Sequence, residues 1–90
     1  MKIVRKICCG MDVHKDLIVA TIATTNQDNI TTYLQRSFTS QNPDLFKLKN
    51  WLKDNNCYDV AMESTGKYWI PIFNVLEDEI NVGIVHPKYT

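Results

Sequence analysis

Asp12 and Glu63 are the residues of this chain whose type and placement could do chemistry. Asp12 closes the apolar run Ile7-Cys8-Cys9-Gly10-Met11 and opens Asp12-Val13-His14-Lys15-Asp16. Glu63 closes Tyr58-Asp59-Val60-Ala61-Met62 and opens Ser64-Thr65-Gly66-Lys67. Each acid stands where an apolar strand is expected to end, and open α/β sheets gather ligands outside the carboxyl ends of their strands. Carboxylates on two neighbouring strands could share a hard divalent cation such as Mg²⁺ or Mn²⁺, which takes oxygen ligands. Such an ion lowers the pKa of an attacking water and neutralises charge on a phosphorane-like transition state. The chemistry suggested is metal-assisted phosphodiester cleavage. Residue type alone also allows plainer uses: Asp12 as a turn residue after a strand, Glu63 as a favourable charge before a helix.

The elements that must position these acids can be read from periodicity. Ile3–Val13 and Leu17–Thr24 read as strands joined by the polar segment His14-Lys15-Asp16. The second is apolar on both faces (Leu17, Ile18, Val19, Ala20, Ile22, Ala23), as expected of a strand covered on both sides. Asn26–Asn29 is a turn cluster, and the Thr-rich Ile30–Thr39 suits a strand near the sheet edge. Asn42-Pro43-Asp44 starts a helix, with Asn42 as cap, whose apolar face is Leu45, Leu48, Trp51 and Leu52; Asn55-Asn56 ends it. Cys57–Glu63 is a fourth strand. Trp69, Ile72, Phe73 and Leu76 mark a second helix over Tyr68–Asp78 with Pro71 in its first turn, and Asn81–Val85 is the last strand before His86-Pro87. The fold class is therefore α/β, a mixed five-stranded sheet in the order β-β-β-α-β-α-β with helices on its faces.

If the fourth strand lies beside the first, Asp12 and Glu63 meet at one end of the sheet. Alternation puts Cys8, Gly10 and Asp12 on one face of the first strand, and Asp59, Ala61 and Glu63 on one face of the fourth. A small residue precedes each acid on its face, leaving room for a ligand. Lys15, Lys67 and Lys88 flank the inferred strand ends and are the candidates for contact with a nucleic-acid backbone. Ser64-Thr65-Gly66 reads as the cap of the second helix. His14 and Asp16 read as turn residues, and Trp51, Trp69 and Phe73 as core rather than as base-stacking groups.

Ninety residues make one small domain with a core of modest size. Ten basic and ten acidic side chains cancel, so no global positive field captures nucleic acid. Phosphate contacts must then come from local lysines or from other parts of a larger protein. Cys8, Cys9 and Cys57 show no metal-ligand spacing and read as reduced, buried thiols of a cytoplasmic protein. Neither a signal-peptide pattern nor a stretch of about 20 apolar residues occurs, so no membrane association is expected.

At this point a family resemblance can be drawn. Gly10-Met11-Asp12-Val13-His14-Lys15-Asp16 followed by an apolar strand resembles the opening of the DEDD transposases of the one-ten family of insertion sequences, relatives of the pilin-gene invertases. Val60-Ala61-Met62-Glu63-Ser64-Thr65-Gly66-Lys67-Tyr68-Trp69, with Pro71 and Asn74-Val75-Leu76, resembles the family's second block, and Val82–Lys88 the strand and X-Pro-basic element after it. The resemblance implies a RuvC-like, ribonuclease H-like domain with its C-terminal part missing, residues 1–90 being the N-terminal part of the catalytic domain. It implies that Asp12 and Glu63 are the first two acids of a catalytic, metal-binding DEDD tetrad whose other aspartates lie downstream. Mg²⁺ or Mn²⁺ is the implied cofactor of the complete domain. DNA is the implied partner, with a guide RNA encoded by the element, and the full-length protein is expected to be a homo-oligomer. The expected activity of the parent is DNA strand cleavage and transfer, with the 90-residue chain inactive alone. His86 departs from the small polar residue expected at its position.

Two other function classes compete. An actin-like or sugar-kinase ATPase lobe also starts with an acid after its first strand, but needs a glycine-rich phosphate turn where this chain has Val13-His14-Lys15. A non-catalytic interaction or dimerisation module would use its acids structurally and self-associate through apolar surface.

Overall fold

A computed structural model describes residues 6–85. The chain folds as β1 (Lys6–Val13), β2 (Leu17–Thr25), β3 (Thr31–Thr39), α1 (Asn42–Asp54), β4 (Asp59–Ser64), α2 (Trp69–Leu76) and β5 (Asn81–Val85). The five strands form one sheet in the order β3-β2-β1-β4-β5. β1, β2 and β3 are an antiparallel meander, and β4 and β5 join parallel to β1. This is the mixed α/β architecture expected from periodicity, with β3 at the edge. No helix of the described residues is long and apolar enough to cross a membrane.

The core lies on one face of the sheet. Cys9, Met11 and Val13 of β1, Ile18, Ala20 and Ile22 of β2, Phe38 of β3, and Val60 and Met62 of β4 all point to it. Leu45, Leu48 and Leu52 of α1 and Ile72 and Leu76 of α2 close over them, with Trp51, Trp69 and Phe73 packed at the margin. The Phe38 and Trp51 rings sit 5.5 Å apart, tying β3 to α1. Lys49 bonds Asp78 at 2.6 Å and Lys53 bonds Glu79 at 2.6 Å, which ties α1 to the turn after α2.

The expectation of helices on both faces is corrected: both helices cover the same face. β3 and β4 run parallel, as do β4 and β5, and both connections cross the sheet in the same direction. Crossovers of one hand then put both helices on one side. The other face of β2, with Val19, Thr21 and Ala23, is half-buried, and no described element covers it.

Element ends also shift. The N-cap of α1 is Gln41, without a side-chain cap bond, rather than Asn42. Asp44 instead reaches back from the first turn, and its Oδ2 accepts the Thr39 N–H at 2.8 Å. Asn56 takes the left-handed conformation (φ 55°), and Cys57 N–H donates to Leu52 O while Asn56 N–H donates to Lys53 O, a Schellman ending. Helix α2 is shorter than Tyr68–Asp78, because Glu79 N–H and Ile80 N–H both turn back to Leu76 O. Ser64-Thr65-Gly66 caps no helix: Ser64 ends β4, Gly66 turns the chain at φ 57°, and Tyr68 is the N-cap. Cys8 is exposed rather than buried, whereas Cys9 and Cys57 lie in the core. Contact with the Cys57 thiol, reinforced by burial, pushes the Cys9 thiol above its ordinary pKa and so favours its protonated form.

Candidate metal and nucleic-acid site

The parallel pairing of β1 with β4 places Gly10 beside Ala61, Asp12 beside Glu63 and Val13 beside Ser64. Because Met11, Val13 and Met62 fill the core, alternation turns Gly10, Asp12, Ala61 and Glu63 to the uncovered face. Adjacent strands lie about 4.8 Å apart, so the two acidic side chains rise next to one another. Thr65 N–H donates to Val13 O at 3.4 Å, carrying the strand pairing one step beyond Glu63 and holding the two strand ends together.

A depression of about 320 Å³ opens at this point, lined by Gly10, Met11, Asp12, Thr21, Ala61, Glu63 and Val85. Its floor is low because the side chains are small. A methyl group on Gly10 would meet no atom within 4 Å. A second depression of about 440 Å³ continues from Gly10 and Ala61 toward Asp59, Asn81 and Gly83. There the Asn81 amide donates to Asp59 Oδ1 at 3.1 Å, which orients a third carboxylate on the same face.

Asp12 and Glu63 are exposed, and among the described residues neither carboxylate takes a hydrogen bond or an ion pair. Oxygen atoms in that state fit a hard divalent cation, and a cation would offset the repulsion of two adjacent negative charges. Among the described residues no cluster of three His, Cys, Asp or Glu side chains forms, so this pair supplies only part of a coordination shell.

His14, Lys15 and Asp16 are exposed in the β1–β2 turn, which is closed by His14 N–H donating to Leu17 O at 2.9 Å. The Lys15 carbonyl accepts the Ser40 hydroxyl at 3.2 Å, fixing this turn against the β3–α1 connection. Lys67 is exposed in the turn that follows β4. Both lysines therefore stand at the carboxyl end of β1 and β4, and neither forms an ion pair among the described residues. Lys88 and His86 lie outside the described residues.

Sequence reasoning missed Thr21 and Val85 as lining groups. Thr21 pairs with Gly10 across the antiparallel β1–β2 ladder, and its hydroxyl accepts the Gln35 amide at 3.1 Å. The signal was the turn at His14–Asp16, which sets the β1–β2 register and so names the neighbour of Gly10.

Comparison with known proteins bears on the family. The model of the DEDD transposases of the IS110 type, described as "Transposase", matches residues 9–90. The chain belongs to that transposase family. Among curated proteins nothing matches. Among solved structures, the transposase chain is similar to the fowlpox virus resolvase determined with Holliday junction DNA (TM-score 0.63, 15% identity, 94% of this chain and 63% of the resolvase). It is also similar to an exopolyphosphatase from Cytophaga hutchinsonii (TM-score 0.61, 11% identity, 90% of this chain, 34% of that one). A PPX-GPPA enzyme of Aquifex aeolicus is similar too (TM-score 0.60, 12% identity, 93% and 37%). The chain thus spans less than two thirds of each of these proteins. At such identities the likeness is one of fold: the transposase chain has the ribonuclease H-like, RuvC-like sheet.

Proposed function

We propose that this chain supplies the first two carboxylates of a divalent-metal site with which a larger transposase cleaves and transfers DNA strands. The observation that carries the reading is the register of Asp12 with Glu63, two acids side by side that have no partner among the described residues, on the face that no described element covers. In this reading Asp12 and Glu63 are the catalytic and metal-binding residues, and Mg²⁺ or Mn²⁺ is the ion. A bound ion would acidify a water and offset charge on the scissile phosphate. The chain's own part is to hold two oxygens in fixed geometry and to leave Gly10 and Ala61 low enough for a backbone phosphate to approach. Lys15 and Lys67, with Lys88 further along, would neutralise neighbouring phosphates. The rest of the tetrad, a guide RNA, a homo-oligomeric assembly and a cytoplasmic setting belong to the same proposal, which starts from membership of the transposase family.

The exopolyphosphatase-like neighbours raise the phosphate-binding ATPase lobe as a second reading of the same sheet. It is disfavoured by the β1–β2 turn, where His14, Lys15 and Asp16 offer no glycine for close approach of backbone N–H groups to a phosphate.

The test is Mg²⁺-dependent strand cleavage by the transposase that contains this chain. Asp12→Asn and Glu63→Gln should each lower the rate by at least about a hundredfold, the scale for loss of charge stabilisation at a reacting phosphate. Cleavage at the parental rate in either variant would overturn the assignment.

A further inference from the structure

Of the described residues that line the depression around Asp12 and Glu63, Thr21 alone has a side-chain hydrogen-bond donor. The others are apolar, lack a side chain, or are carboxylates, which only accept. Thr21 pairs with Gly10 across β1 and β2, and Gly10 pairs with Ala61 across β1 and β4. These three stand in one row across the sheet. Asp12 and Glu63 form the next row, two residues or about 7 Å along the strands. Thr21 and Ala61 are two strand spacings apart, roughly 10 Å. Between them Gly10 has no side chain, and a methyl group there would meet no atom within 4 Å. The gap admits a phosphate group with the acids on one side and Thr21 on another.

The hydrogen bond that Thr21 already makes leaves its own proton free. Gln35 is its cross-strand partner on β3, and the Gln35 Nε2 amide donates to Thr21 Oγ1 at 3.1 Å. A hydroxyl has one hydrogen and two lone pairs. The amide N–H occupies a lone pair and cannot accept, so the hydroxyl hydrogen turns away from β3. Among the described residues no acceptor takes it. Thr21 is half-buried on β2, so its side chain is confined by its neighbours while its outer side meets the depression.

We infer that Thr21 is a substrate-binding residue, its hydroxyl donating to a non-bridging oxygen of a phosphodiester seated over Gly10, and that Gln35 is the positioning residue that aims it. The inference rests on the reading of Asp12 and Glu63 as the metal-binding pair. A neutral donor suits the place. A lysine this close would pair with the acids and compete with the ion, whereas a hydroxyl leaves both carboxylates free for it. The bond gains strength as negative charge builds on the phosphate oxygen.

The test is cleavage, by the transposase that contains this chain, of DNA with sulfur in place of each non-bridging oxygen of the scissile phosphate in turn. Sulfur accepts hydrogen bonds poorly, so one isomer should be cleaved at least about tenfold more slowly, the scale of one hydrogen bond to a charged group. Slowing that comes from Mg²⁺ contact is relieved by the softer Mn²⁺, whereas slowing that comes from Thr21 persists. Thr21→Val keeps the β-branched shape that suits a strand. It should slow cleavage of unmodified DNA at least about tenfold and cancel the Mn²⁺-insensitive sulfur effect, and Thr21→Ser should restore both. Gln35→Glu, whose carboxylate captures the hydroxyl hydrogen, should act like Thr21→Val; its added charge alone would leave the sulfur effect in place. A second readout needs no cleavage: dimethyl phosphate, added with Mg²⁺ to the ¹⁵N-labelled chain, should shift the Gly10 and Thr21 amides, and about tenfold more should be needed in Thr21→Val. A sulfur effect that persists in Thr21→Val, or equal dimethyl phosphate binding, would overturn the inference. Loss of cleavage in Asp12→Asn with none in Thr21→Val would strike this inference and leave the metal reading standing; parental cleavage in Asp12→Asn would strike both.

Discussion

Side by side on β1 and β4, two carboxylates leave an electrostatic debt that a cation can cancel, and the glycine beside them keeps the approach open. Gly10 separates stability from function. An added methyl meets nothing within 4 Å, and Ala in a strand is favoured over Gly by roughly 0.5–1 kcal/mol. Gly10→Ala should therefore raise the urea midpoint of the chain while lowering DNA cleavage by the transposase at least about tenfold. Unchanged cleavage in the stabilised variant would show that no substrate group passes over Gly10. The acids themselves were legible in the sequence because each ends an apolar run two residues after a small residue on the same face. Thr21 is legible only at one remove, through the β1–β2 register that the His14–Asp16 turn sets, and not from local pattern.

At the scale of the elements, strand and helix order followed from periodicity, and the errors lie where backbone groups choose between partners. Asn42 resembled a cap, but the Asp44 carboxylate takes the Thr39 N–H and leaves Gln41 as the cap. That bond holds the Asp44 carboxyl below its usual pKa, as Lys49 does for Asp78 and Lys53 for Glu79. A depressed folded pKa contributes stability that is full above the unfolded value, near 4, and is lost as pH falls through the folded one. The urea midpoint should thus be steady from pH 7 to about 5 and fall below about 4. Asp44→Asn should flatten that fall in part; an identical acid profile would contradict the role given to the Thr39 bond. Helix placement on one face was within reach of the sequence too, had the common direction of the two crossovers been considered together with their handedness.

For the whole molecule, the one-sided packing defines what the chain presents. One face is closed by α1 and α2; the other carries Asp12, Glu63, Thr21, Ala61 and Asp59 in the open. With ten basic and ten acidic residues the chain has no net charge to attract DNA, so the proposed reaction centre would have to draw on a bound metal and on local lysines. Composition made that balance plain, whereas the open face came only with the strand order. The central claim is that this face binds a divalent cation through Asp12 and Glu63. The most direct measurement is amide NMR of the ¹⁵N-labelled chain titrated with Mn²⁺, whose unpaired electrons broaden nearby signals. Broadening centred on Asp12 and Glu63, and lost in Asp12→Asn, is the predicted result. Broadening centred on Asp78 and Glu79, or unchanged in Asp12→Asn, would contradict it.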